Sequence, residues 1–187
     1  MPDDAGLMRS ICVFCGASPG YDPAYALAAD ALGRELASRS IELVTGGGKV
    51  GLMGVVADAA LGAGGRVTGV IPLSLEEREV AHRGLTTLHV VETLHERKAL
   101  MHELSDAFIA LPGGFGTLDE LFEAVTWAQL GIHAKPIGLV NVSGYFDELL
   151  AFVDGATVQG FVSETNRELV TVHSDVATLL DTLLARR

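Results

Sequence analysis

Two charged side chains sit where chemistry is plausible, and both are set against apolar surroundings. The first is Glu120. An apolar run at 107–111 is followed by Pro112-Gly113-Gly114-Phe115-Gly116-Thr117, and then Leu118, Leu121, Phe122, Val125 and Ala128 recur at helical spacing. Three glycines and a threonine therefore lie where a strand hands over to a helix. Glycine lets backbone N–H groups approach a ligand closely, and a helix start offers unpaired N–H groups and the positive end of its dipole. Gly113, Gly114, Gly116 and Thr117 thus make an anion seat, most often one for phosphate. Glu120 adds a carboxylate in what the spacing gives as the first helical turn. Two readings of it stay open. Thr117-x-x-Glu120 fits a capping box, in which the acid only satisfies a backbone N–H. Alternatively, the acid stands on the rim of the anion seat and meets a positive charge developing there.

The second side chain is Arg97. Thr93-x-x-Glu96 reads as a capping box opening a helix over 93–104, which places Leu94, Arg97, Met101 and Leu104 on one stripe. A cation on an apolar face either snorkels or pairs with an acid, or it aims a guanidinium into a pocket to meet a phosphate, carboxylate or ligand. Lys98 points about 100° further round the helix, toward another part of the same ligand or the surface.

Other motifs are weaker. Gly46-x-Gly48-x-x-Gly51 matches the dinucleotide fingerprint by letter. That fingerprint expects an acid at the end of the next strand, and Thr68-Gly69-Val70-Ile71-Pro72 has none. The loop is then a tight strand–helix turn, or one that helps line a nucleotide site. No glycine is followed by Lys and then Ser or Thr, which argues against ATP-driven phosphoryl transfer. Cys12 and Cys15 begin within a strand, where positions three apart face opposite ways. With no second Cys/His pair at zinc spacing, they read as buried structural cysteines. The six histidines form no ligand cluster and read as solvated or core-edge residues. Glu79, beside Arg78, looks by itself like surface charge.

The elements that must position these residues alternate. Strands are expected at 11–14, 41–45, 67–71, 88–91, 107–111, 136–140 and 168–172. Helices are expected at 23–38, from Gly51 to about 61, and at 93–104, 118–130, 145–153 and 176–185. The first helix carries Leu27, Ala28, Ala31, Leu32 and Leu36 on its inward face. Residues 73–84 are polar and resist assignment. Alternation of this kind predicts an α/β fold: a mostly parallel sheet covered by helices on both faces. Ligands of such folds sit beyond the carboxyl ends of the strands, so the loops at 15–20, 46–51 and 112–117 are expected to face one crevice. The 187 residues suit one domain, 1–187, with the first nine disordered. A net charge of −11, with lysine only at 49, 98 and 135, argues against a nucleic-acid partner. No secretory pattern and no membrane-spanning run is present, so a cytoplasmic protein is expected.

Taken together, three stretches resemble the LOG ("lonely guy") family. They are Gly46-Gly47-Gly48-Lys49-Val50-Gly51-Leu52-Met53-Gly54, Glu96-Arg97-Lys98, and Pro112-Gly113-Gly114-Phe115-Gly116-Thr117-Leu118-Asp119-Glu120. The likeness runs from about Ile11 to beyond Tyr145 and includes Thr126-Trp127-Ala128-Gln129-Leu130-Gly131. It implies a Rossmann-like three-layer fold and a homodimer. It implies a phosphoribohydrolase that cleaves the N-glycosidic bond of a cytokinin riboside 5′-monophosphate or AMP, without cofactor or metal. Carried over position by position, Gly113, Gly114, Gly116 and Thr117 match the phosphate loop, and Arg97 and Glu120 match the catalytic pair. Glu79, Lys98 and Thr126 match positions lining the nucleotide; Gly47, Gly48 and Ser18 are expected near the same pocket. Thr45, where the family often has an aromatic residue, and Ala17-Ser18, where it often has two serines, depart from the pattern near the base. The rival readings are a non-catalytic nucleotide carrier using the same loop, a pyridoxal-phosphate decarboxylase, and a dehydrogenase.

Overall fold

The computed structural model describes residues 8–76 and 80–186. In chain order the elements are β1 (Ser10–Phe14), α1 (Pro23–Ser38), β2 (Glu42–Thr45), α2 (Gly51–Gly62), β3 (Val67–Pro72), α3 (Leu73–Glu76), β4 (Thr87–Val91) and α4 (Leu94–Glu103). There follow β5 (Ala107–Ala110), α5 (Phe115–Gln129), β6 (Ile137–Val140), a 3₁₀ turn (Val142–Gly144), α6 (Asp147–Val158), α7 (Glu164–Arg167), β7 (Val170–His173) and α8 (Val176–Ala185). The seven strands form one sheet in the order β4-β3-β2-β1-β5-β6-β7. Every pairing between them is parallel. The expected α/β architecture is therefore present.

The sheet is apolar on both sides because both sides are covered. Strand alternation sends Ile11 and Val13 into one core, with Leu32, Leu36, Val56 and Leu180 from α1, α2 and α8. Cys12 and Phe14 enter the opposite core, with Met101, Leu121 and Phe146. The chain winds outward from β1 to β4 and then returns to place β5 on the other side of β1. The switch point therefore lies between the carboxyl ends of β1 and β5, where such folds open a crevice.

The differences from expectation have local causes. On α1, Leu27 is 71% exposed and Ala31 is also exposed, while Ala29, Leu32, Gly33 and Leu36 are buried. The helix is rotated by its contact with α2: a side chain at Gly33 would stand 2.4 Å from the Val56 carbonyl oxygen, so the two backbones meet there. Helix α5 starts three residues earlier than the apolar spacing indicates. That spacing registers only residues packed on the sheet, and the first turn of α5 faces a cavity instead. The stretch 73–84 holds the short α3 and a strap in which Ala81 bridges Gly48. Glu79 lies outside the described residues. Tyr145 belongs to the corner before α6, and a short α7 precedes β7.

His102 is neither solvated nor at the core edge. It is 5% exposed, its ring packs 4.5 Å from both Phe108 and Trp127, and neither ring nitrogen has a hydrogen-bond partner among the described residues. Burial, then the nearby His133, Lys135 and Lys98, pushes its pKa down from 6.5 to about 4. The folded chain therefore holds this imidazole neutral. Its contribution to stability is complete above pH 6.5 and declines as pH falls toward 4. Urea titrations should show the protein losing about 2 kcal/mol from this source between pH 7.5 and pH 5. His102→Leu should lose that part of the slope; an unchanged slope would place the proton uptake elsewhere.

Candidate active site

A cavity of about 510 Å³ opens at the β1/β5 switch point. Its floor comes from the ends of those two strands. Leu111 N–H donates to the Phe14 carbonyl at 2.9 Å and Gly16 N–H to that of Pro112 at 3.0 Å, so the ladder continues into both loops. The start of α2 joins them through Leu52 N–H, which donates to the Gly16 carbonyl at 3.0 Å. Gly51 is backed against residue 17: a Cβ there would lie 2.3 Å from the Ala17 carbonyl carbon, and its φ is +60°. Only glycine accommodates both demands.

The glycine-rich turn lies at one wall. Gly114 is the N-cap of α5, with extended backbone and no side chain to cap the amides that follow. Gly113, Gly114, Gly116 and Thr117 all line the cavity. Thr117 is buried, and its hydroxyl fills the space that a side chain on Gly113 would need; the distance would be 2.0 Å. Because α5 begins at Phe115, Thr117 is its third residue and Glu120 lies in the second turn, not the first. The capping-box reading needs Thr117 at the N-cap, so it does not hold. Three residues apart on a helix, Thr117 and Glu120 share a face, and both line the cavity.

Arg97 reaches the same cavity from α4. It is 6% exposed, its Nε donates to the Val70 carbonyl at 3.1 Å and its Nη2 to the Gly46 carbonyl at 2.9 Å. Gly46 makes this possible, since a Cβ there would be 2.0 Å from Nη2. The guanidinium is thus held across the ends of β2 and β3 rather than snorkelling. The Cys12 thiol reports the local field. Burial raises its pKa, the Glu120 carboxylate raises it further, the Ser105 hydroxyl lowers it, Cys15 raises it and Arg97 lowers it, leaving it well above the usual value. Acid and cation therefore act on one buried atom. Glu120, Arg97 and the glycine-rich turn border one space.

The remaining candidates are placed differently. Ser18 lines the rim. Gly47 and Gly48 lie outside the lining and are buried: Gly47 accepts the His82 N–H at 2.8 Å, and Gly48 N–H donates to Met53 Sδ at 3.2 Å. Lys98 Nζ is ion-paired with Asp119 at 3.0 Å and Glu123 at 2.8 Å, stapling α4 to α5. Burial pulls its pKa down and these two acids more than offset that, so it stands raised. Thr126 is exposed beyond this staple and outside the lining. Cys15, Met53, Tyr25 and Tyr145 line the cavity although none of them stands out as a site candidate in the sequence. Cys15 was findable in principle as the first residue beyond a strand at the crevice end. Among the described residues no group of three or more His, Cys, Asp or Glu side chains could hold a metal ion.

A seven-stranded parallel sheet with helices and a glycine-rich strand–helix turn at its switch point defines a Rossmann-like α/β protein. The profile of the family described as "Possible lysine decarboxylase" matches residues 53–183. The cytokinin riboside 5′-monophosphate phosphoribohydrolase LOG3 of Arabidopsis thaliana is 54% identical over 162 residues, covering 87% of this chain and 75% of its own. The probable cytokinin riboside 5′-monophosphate phosphoribohydrolase LOGL5 of Oryza sativa subsp. japonica is 52% identical over 176 residues, 94% of this chain and 72% of its own. Among solved structures, the molybdenum cofactor carrier protein of Chlamydomonas reinhardtii superposes with a TM-score of 0.71 at 25% identity, over 96% of this chain and 99% of its own. The chain belongs to the LOG family.

Proposed function

We propose that this protein hydrolyses the N-glycosidic bond of cytokinin riboside 5′-monophosphates, and of AMP, to free base and ribose 5-phosphate. The observation that carries the reading is the convergence of Arg97, Glu120 and the Gly113–Thr117 turn on one cavity. The names of the relatives support the same reaction.

The chemistry follows from what each group can do. The phosphate is remote from the bond that breaks; seated on the turn and the helix start, it fixes the ribose for attack. Cleavage of the ribosyl C–N bond builds oxocarbenium character at the anomeric carbon. The Glu120 carboxylate stabilises that charge and takes the proton of the attacking water, whose oxygen bonds to the anomeric carbon. The C–N electron pair leaves with the base, which takes a proton from solvent, and Glu120 returns the water's proton to solvent, so the proton count closes. Arg97 positions Glu120 and the substrate. Lys98, through Asp119 and Glu123, holds α4 and α5 at a fixed spacing and so supports both residues. Thr126, Glu79, Ser18, Gly47 and Gly48 are proposed as nearby or indirect supports of the nucleotide. The chain acts as a single domain and a homodimer. It acts in the cytoplasm; among the described residues no helix is long and apolar enough to cross a membrane.

The decarboxylase reading fails on the lysines. Lys49 is exposed, Lys98 is paired with two acids, and Lys135 donates to the His102 carbonyl, so none lines this cavity. The carrier reading has a specific observation behind it, the likeness to the molybdenum cofactor carrier. Chromatography separates the two. Incubation with AMP, N6-isopentenyl-AMP and the matching nucleosides should release base from the monophosphates at rates at least about 10²-fold above the nucleosides, because the phosphate's binding energy is realised in turnover. No free base from any substrate would leave a carrier.

A further inference from the structure

Gly113 and Gly114 are consecutive, and a peptide between two glycines can rotate with little steric resistance. In a trans peptide the C=O and the next N–H point in opposite directions. Rotation of the 113–114 peptide would therefore exchange a donor for a carbonyl oxygen at the seat, and the oxygen repels an anion.

One side chain bonds the carbonyl that would have to turn. Tyr145 Oη donates to the Gly113 carbonyl at 2.6 Å. The bond occupies that oxygen and fixes the peptide's orientation. The phenol is itself held on several sides. Tyr145 follows a 3₁₀ turn in which Ser143 has φ 51° and Gly144 φ 72°. Its backbone N–H donates to the Val142 carbonyl at 2.9 Å. The Asn141 side chain accepts from Phe146 N–H at 2.8 Å and donates to Asp147 at 2.6 Å, locking the corner. Phe146 is buried and meets the Tyr145 ring edge-on at 5.0 Å. Tyr25 of α1 also meets this ring edge-on, at 5.5 Å. Tyr25 also backs Gly20, whose φ is +74° and whose absent side chain would stand 2.6 Å from the Tyr25 ring. The two tyrosines therefore join the 15–20 loop, the β6–α6 corner and the glycine turn.

We propose that Tyr145, steadied by Tyr25, is a positioning residue for the phosphate seat that holds the Gly113–Gly114 peptide in its anion-accepting orientation. The proposal rests on the reading of that turn as a phosphate seat. A role confined to packing would weaken all ligands alike, whereas this one weakens only those carrying phosphate. The test is Tyr145→Phe in the full chain, with ribose 5-phosphate and adenosine affinities measured by calorimetry and KM and kcat measured for AMP. The ribose 5-phosphate Kd and the AMP KM should each rise about tenfold, the worth of one well-placed hydrogen bond. The adenosine Kd and the melting temperature should not move. Equal loss for adenosine and ribose 5-phosphate, or no loss for either, overturns the proposal. If Tyr145→Phe lowers the melting temperature, Tyr25→Leu, which keeps the hydroxyl but frees the ring, should show the same phosphate-selective loss at smaller size; a non-selective loss there overturns it. A wild-type protein that binds ribose 5-phosphate but frees no base overturns the phosphoribohydrolase reading alone, since the Tyr145 comparison is also read from binding.

Discussion

Glu120→Gln stops base release: kcat falls by about 10³-fold or more, while the affinity for ribose 5-phosphate stays within about twofold. Glutamine keeps the shape of the side chain and removes its charge and its basicity. If the carboxylate meets a developing oxocarbenium ion and accepts the water's proton, both contributions vanish together. On the proposed reading the phosphate sits on the Gly113–Thr117 turn, which the substitution does not touch, so binding of the product should persist. A structural role for Glu120 predicts a different pattern. A capping carboxylate supports its helix, and its loss would lower stability by about 1 kcal/mol. That role is closed here, because the N-cap is Gly114 and Glu120 lies in the second turn. The melting temperature of the variant should therefore match that of the wild type. Full base release from Glu120→Gln would sink the mechanism. Nucleotide binding without base release from wild type and variant alike would identify a carrier.

The layout that places Glu120 was legible because both cores are periodic. The strand at 107–111, its glycine turn and the helix behind it could be read from apolar spacing and glycine placement. So could the meeting of the 15–20 and 112–117 loops, since alternating strands and helices leave few topologies; the 46–51 loop, expected in the same crevice, contributes no lining residue. What escaped depends on contacts between distant parts of the chain. The rotation of α1 is set by Gly33 meeting α2, and nothing in the spacing of Leu27 and Ala31 reveals a partner helix. The first turn of α5 packs against no apolar surface, so it has no period to read. Gly46-x-Gly48-x-x-Gly51 matches a ligand motif, yet Gly47 and Gly48 are consumed by the 80–82 strap and Met53. Letters cannot show that the Gly47 carbonyl already accepts from His82 N–H and that the Gly48 N–H already donates to Met53. Tyr145 is absent from every local pattern because its role is a bond across 32 residues.

Arg97 demands two variants, because removing it changes two things at once. Arg97→Ala takes a donor from each of the Gly46 and Val70 carbonyls and leaves a void where a buried side chain was. Each carbonyl left without its partner costs about 1–3 kcal/mol. Turnover should fall by at least about 10²-fold, but a drop in stability alongside it would not distinguish a positioning residue from a structural one. Gly46→Ala makes the distinction. It leaves the guanidinium's charge and chemistry intact and adds one methyl group 2.0 Å from Nη2 and 3.0 Å from Cζ. The backbone of Gly46 has no left-handed φ to strain. Met53 Sδ, 3.1 Å from the same point, is on a flexible side chain that can yield. The guanidinium must therefore shift while the glycine turn, on a different loop, keeps its place. The expected result is a loss of about 10²-fold in kcat, the scale of a displacement of roughly 1 Å at a reacting centre, with the Kd for ribose 5-phosphate within about twofold of wild type. Wild-type kcat in Gly46→Ala would show that turnover does not depend on where Arg97 stands, and Arg97 would then be a brace between the ends of β2 and β3 and nothing more.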